Sequence, residues 1–242
     1  MLDAYGICGI DDVGIFNLNL RKIRVELNTK ITDLNHMGKL EILNASGDCG
    51  IGDKGIARLS LKKLNAGWNP AITNLNHMTR LEKLHIENNC GVGSAGIRDL
   101  NLTYLNASYN LNITDLNHMN KLKVLYATHA CAISTHDIQN LDLKELYASG
   151  NPRIINVNHL TNLEMLDAKG KCGIDNVGIS KLNLRELYAT NNSKITYVRH
   201  MSRLEILEAE GECGIDDKGI RGLRLKKIKS RENWKITKGS SL

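Results

Sequence analysis

Residues 40–60 read LEILNASGDCGIGDKGIARLS, and residues 61–80 continue LKKLNAGWNPAITNLNHMTR. This pair of segments returns every 41 residues along a chain of 242. All six cysteines lie on one phase of the period: Cys8, Cys49, Cys90, Cys131, Cys172 and Cys213. Five histidines lie on a second phase: His36, His77, His118, His159 and His200. Asn28, Asn69, Asn110, Asn151, Asn192 and Asn233 lie on a third. A fixed period of this length marks an array of stacked units, each too small to bury its apolar face alone. Length by itself would allow one or two globular domains; the repeat instead predicts a single elongated domain over 1–242.

Each 41-residue unit splits into two coils that both open L-x-x-L-x-A. That opening is a short strand with its leucines inward and the intervening residues outward. Alanine stands where a third large residue would point into a narrow coil. The asparagine turns the chain, its amide bonding backbone groups at the turn. In the first coil type, Asp12, Asp53 or Asp217 is expected to cap a short helical turn, and Gly55 to ease the return. In the second type, the segment T-D-L-N-H-M is too short for more than a turn. The chain opens at Leu2 and Ala4 inside one coil and closes at Ile228 and Ile236 inside another. That makes about twelve coils with no evident cap at either end, so fraying and weak self-association are expected there.

The pattern L-x-x-L-x-A followed by Cys or Asn resembles the leucine-rich repeat family along essentially the whole chain. The first coil type is similar to the cysteine-containing repeats of F-box substrate receptors, through the cysteine and the ending I-x-D-x-G-I-x-x-L. Ile51, Asp53, Gly55, Ile56 and Leu59 show it, as do Ile215, Asp217, Gly219, Ile220 and Leu223. Each cysteine sits one place later than in that family. The second type resembles short bacterial-type and phosphatase-regulator repeats, through Asn69 and the run Ile72 to Leu75. The resemblance implies an α/β repeat solenoid. This is a curved stack with a parallel β-sheet on the concave face and short turns or helical turns on the convex face. It also implies a non-enzymatic interaction module, with recognition for a ubiquitin ligase as a narrower version. A structural component that stacks through uncapped ends is the alternative.

Net charge is +6, with acidic and basic residues interspersed and no long basic run. Nucleic acid is therefore not the expected partner. The N-terminal MLDAYGICGIDDVG has no basic region or long apolar run, so neither a signal peptide nor a membrane span is expected. Equivalent cysteines lie two coils apart, roughly 10 Å at about 4.8 Å per strand, beyond the roughly 7 Å Cα separation a disulfide spans. Six buried, reduced thiols and a cytoplasmic location follow as expectations. The Asn44 and Asn101 sequons are what an asparagine-rich repeat generates by chance.

The histidine ladder fails as a metal site by the same spacing, and a turn role is expected instead. His129, Cys131 and His136 cluster in sequence, but no orienting third group or oxyanion donor accompanies them. Gly50, Gly52 and Gly55 lack the G-K-[ST] of a phosphate loop. No cofactor, metal or catalytic residue is expected. The position after each first strand leucine alternates in sign: Arg21, Lys62, Lys144, Arg185 and Lys226 against Glu41, Glu82, Glu164 and Glu205. Such pairs set register at a few tenths of a kcal/mol each. Thr103 and Lys123 break this rule. The aromatic residues give the candidate ligand-binding set: Trp68, His85, Tyr104, Tyr109, Tyr126, His129, Tyr147 and Tyr188. Tyrosine also favours strands for packing reasons alone, so binding and bracing both remain open. The terminal Ser240-Ser241-Leu242 is also compatible with a short tail motif for a peptide-binding domain.

Overall fold

A computed structural model describes residues 1–237 of the chain, which forms two compact units, Met1–Leu122 and Lys123–Leu242. The tail Ser240-Ser241-Leu242 lies outside the described residues. The first unit carries β1 (Leu2–Asp3), α1 (Asp12–Ile15), β2 (Lys22–Arg24), β3 (Ile42–Asn44), α2 (Asp53–Ile56), β4 (Lys63–Asn65), β5 (Lys83–His85), a 3-10 turn (Ser94–Gly96) and β6 (Tyr104–Asn106). The second carries β7 (Val124–Tyr126), a 3-10 turn (His136–Ile138), β8 (Glu145–Tyr147), β9 (Met165–Asp167), a 3-10 turn (Val177–Ile179), β10 (Glu186–Tyr188), β11 (Ile206–Glu208), α3 (Asp217–Ile220) and β12 (Lys227–Lys229).

Within each unit every strand pairs in parallel with its sequence neighbour. Leu43, Leu64, Leu84 and Leu105 align in the first unit, and Leu146, Leu166, Leu187 and Leu207 in the second. These leucines are buried, and the alanine two residues on, as at Ala45, Ala66, Ala148 and Ala189, is buried beside the turn. Among the described residues helical turns occur only in the cysteine-bearing coils, and the asparagine coils return through turns alone. This is the leucine-rich repeat stack expected from the sequence.

The six period asparagines are buried, and each bridges two coils. Asn69 Nδ2 donates to Ala45 O (2.9 Å) and Ile51 O (2.9 Å) of the preceding coil, while its Oδ1 accepts from Ala71 N (2.9 Å). Asn151 repeats this on Ala127 O, Ile133 O and Arg153 N. One amide thus satisfies three backbone groups that burial has cut off from water. The histidines take the turn role: Nε2 of His77 lies 3.1 Å from Ile56 O, and His159 stands likewise on Ile138 O.

Asp12, Asp53 and Asp217 do not cap their own helices. The caps are Asp11 and Asp216, which accept from Gly14 N and Gly219 N, and Gly52, which makes no side-chain cap bond. Asp53 instead reaches forward one coil, where its carboxylate accepts from Thr73 N (2.7 Å) and Thr73 Oγ1 (2.5 Å). Asp12 binds Thr32 in the same way. Burial alone would raise the Asp12 carboxyl, but the bonds from Thr32 and Asp33 outweigh it and hold the pKa below its ordinary value. Gly55 is required by contact rather than by flexibility, since a Cβ there would lie 2.1 Å from Thr32 O.

Five cysteines are buried as expected, whereas Cys8 is exposed. Cys8 keeps the local geometry, accepting from Asn28 Nδ2 at 3.6 Å as Cys49 accepts from Asn69 at 3.4 Å. No described coil lies on its outer side, and among the described residues the sulfur is left exposed. Burial raises the other five thiols, to about 11 at Cys90, Cys131 and Cys172. At the two extremes of the described chain Leu2 and Ile228 are half-buried, while Ala4 and Ile236 are buried.

Two outcomes follow. Asn69→Ala strands two carbonyls and one N–H at about 1–3 kcal/mol each, so a loss of about 3 kcal/mol or more is expected in guanidinium unfolding; a loss under about 1 kcal/mol would contradict the ladder. Brief alkylation of the native protein should label Cys8 and spare the other five thiols, with all six reacting after denaturation. Intact-mass spectrometry reads both states, and label on Cys131 or Cys172 in the native state would contradict their burial.

Candidate functional site on the sheet face

Each strand from β3 to β11 buries its middle leucine and turns its first and third residues outward, giving two outward columns per unit. In the first unit the outer columns are basic and amide-rich. Lys63, Lys83 and Tyr104 follow one another in register in one, and Asn65, His85 and Asn106 in the other. His85 and Tyr104 meet with ring centroids 4.9 Å apart at 39°. Burial, then the charges of Lys63 and Lys83, lower the His85 pKa. Arg24 is held by Glu26 at 2.6 Å.

Trp68, Tyr109 and His129 lie outside the strands, at the turn that follows each one. All three have left-handed backbones, with φ of 62°, 60° and 60°. The same turn position is left-handed in every coil: Gly6, Leu27, Gly47 and Asn88 in the first unit, and Gly150, Gly170, Asn191, Gly211 and Glu232 in the second. Glycine fits such a position freely, whereas a bulky residue costs roughly 1–2 kcal/mol there. Trp68 is 60% exposed and Tyr109 46%. The ring of His129 rests over Gly150, where an added Cβ would lie 3.3 Å from His129 Cδ2.

In the second unit one outer column runs Tyr126, Tyr147, Asp167, Tyr188 and Glu208, in register. Tyr126 and Tyr147 stack face to face, with centroids 3.8 Å apart and planes within 7°. Tyr147 OH donates to Glu145 Oε2 (3.2 Å) and Tyr188 OH to Glu186 Oε2 (2.7 Å). Lys169 Nζ lies 5.0 Å from the centre of the Tyr188 ring and 3.0 Å from Glu208 Oε2. Burial, then the hydrogen-bonded Tyr126, drive the Tyr147 phenol far up. The bond to Glu186, then burial, push Tyr188 up to about 12. Burial also raises the Asp167 carboxyl. Between Tyr147 and Tyr188 lies a recess of about 280 Å³ floored by Met165 and Asp167.

Most of the alternating charges upstream of the strands are paired as expected, Glu82 being the member with no ion pair among the described residues. Arg21 and Lys62 converge on Glu41 (3.3 and 3.0 Å), and Arg185 and Lys226 on Glu205 (3.2 and 3.0 Å). Lys123, which breaks the alternation, turns instead to Asp142 at 2.6 Å.

The structure therefore sorts the eight aromatic candidates into smaller sets: His85 with Tyr104, Tyr126 with Tyr147, Tyr188 beside Asp167 and Lys169, and the turn residues Trp68, Tyr109 and His129. The acidic members Glu145, Asp167 and Glu186 were missed. Their signal was the interruption of a tyrosine column by Asp167, an outward carboxylate with a ring one strand away on each side.

No family model matches the chain, and no curated protein matches it. Solved structures do. The crystal structure of the TLR13–ssRNA13 complex matches with TM-score 0.51 and 21% identity, over 88% of this chain and 33% of that one. The crystal structure of the yeast Rad7 and Elc1 complex matches with TM-score 0.51 and 15% identity, over 100% of this chain and 72% of that one. This chain thus spans about a third of the length of the first. Both are leucine-rich repeat proteins, and at this identity the likeness is one of fold. No helix among the described residues is long and apolar enough to cross a membrane.

The carboxylate–phenol bond gives the site an alkaline signature. Glu186→Gln removes the charge that holds the Tyr188 proton, so the highest phenol steps in an ultraviolet titration should lose one member, which moves toward the ordinary value of about 10. An unchanged titration would mean that Tyr188 does not donate to Glu186.

Proposed function

We propose that this chain is a non-enzymatic interaction module that holds a protein or peptide on the outward face of its sheet. The observation that carries this is the Tyr126–Tyr147 stack: two large rings set face to face on outward strand positions, each half-buried. Tyrosine and tryptophan contribute most at interfaces because they bury a large area with few rotatable bonds. The left-handed turns add weight, since within its own unit each of Trp68, Tyr109 and His129 occupies a position where glycine is less strained. A purely bracing role accounts for a stack but not for Trp68, whose ring is 60% exposed on a left-handed turn. The cytoplasmic location belongs to the same proposal, resting on the free thiols.

The test is a selection of a random-peptide phage library on the immobilised protein, followed by the double variant Tyr126→Ala with Tyr147→Ala. Convergent peptides are expected, with affinity lost in the double variant by about 30-fold or more, equivalent to about 2 kcal/mol. Stability should fall by only about 1 kcal/mol for loss of the stack. Failure of the library to converge, or undiminished binding to a variant that melts early, would reject the proposal and leave the stack a brace.

A further inference from the structure

We infer that the recess between Tyr147 and Tyr188 is a seat for an arginine side chain of the bound protein or peptide; this rests on the interaction proposal above. Three carboxylates converge on the recess: Glu145, Asp167 and Glu186. None of them has a cationic side chain within ion-pair distance among the described residues. Their neighbours are different. Glu164 is held by Lys144 (2.9 Å), Glu205 by Arg185 and Lys226, and Glu208 by Lys169 and Lys229. In a chain of net charge +6, this patch is left acidic.

Asp167 is the least satisfied of the three. Its Oδ1 accepts from Lys169 N at 3.1 Å, and its other oxygen accepts no hydrogen bond among the described residues. Lys169, which also lines the recess, extends past Tyr188 and spends its charge on Glu208. Glu145 and Glu186 each spend one oxygen on a tyrosine hydroxyl and keep the other.

The rings define the shape of the occupant. One face of Tyr147 is covered by Tyr126, so its other face turns toward β9, where Asp167 lies in register. Tyr188 stands on the far side of Asp167. Two strand spacings separate the tyrosines, about 10 Å. A flat group stacked on one ring at roughly 4 Å leaves the other about 6 Å away, still within cation–π reach. Planarity, a donor fork that meets carboxylates and weak hydration favour a guanidinium over an ammonium. Met165, buried beneath, offers an apolar surface to the methylene stem.

The library selection separates this inference from the proposal beneath it. Convergent peptides are expected to carry an arginine in common. Replacing it with citrulline, uncharged and of the same shape, should weaken binding about tenfold or more, and so should Asp167→Asn in the protein. Asp167→Asn keeps the size of the side chain, and its thermal midpoint checks that the fold is intact. Convergent peptides that lack arginine, that use lysine in its place, or that bind Asp167→Asn as well as the parent would overturn the arginine seat and leave the interaction proposal standing. A library that fails to converge would remove both.

Discussion

One buried side-chain amide per pair of coils sets the conditions for everything else in this chain. A coil of about twenty residues turns its backbone inward at every corner, and the carbonyls there have no strand partner. Asn69 answers two of them and one N–H with a single side chain. Aspartate lacks the donors and leucine lacks both functions, so at this position the side chain is dictated by hydrogen-bond bookkeeping rather than by hydrophobicity. Since the donors reach back to the preceding coil, the bond that makes the turn also fixes the stacking distance. The aspartate–threonine stitch of Asp53 and Thr73 performs a related task at the helical turns, but near solvent, where its loss exposes groups to water instead of stranding them.

With the interior specified by leucine, alanine, cysteine and asparagine, the outward columns are released from folding duty. The surface ion pairs upstream of the strands contribute little each, because both partners stay hydrated. The two units use this freedom differently. The first places lysines and amides around His85 and Tyr104, whereas the second sets tyrosines among carboxylates. The carboxylates around Asp167 are unpaired in a protein that pairs the neighbouring ones, which is why charge, more than exposure, singles out that recess.

How much of this could be read from the sequence depended on whether a residue's role repeats. Asn69, the buried leucines and His77 recur at fixed phase, and their roles follow from the period. Asp53 was misassigned because two acidic or small residues adjoin at the helix start; only the backbone decides that the first caps and the second reaches forward. Cys8 shares the phase of its fellows but not their cover, a property of position in the stack rather than of sequence. Asp167 belongs to no repeat. An outward carboxylate has meaning only relative to its cross-strand neighbours, and whether a lysine such as Lys169 satisfies it depends on rotamers.

The left-handed turn shows how such a reading can be extended. Five of its occupants are glycine and two are asparagine, the residues that adopt this backbone most easily. The fold thus displays its own preference at this position, against which Leu27, Trp68, Tyr109, His129 and Glu232 stand as exceptions. Strand propensity cannot explain them, because they are not in strands. Core packing does not explain Trp68, which is 60% exposed. A ring that costs backbone strain and stays largely in solvent is better understood through what it meets outside the chain. The tyrosine stack alone would leave binding and bracing balanced; a strained, solvent-facing turn residue such as Trp68 weighs toward binding.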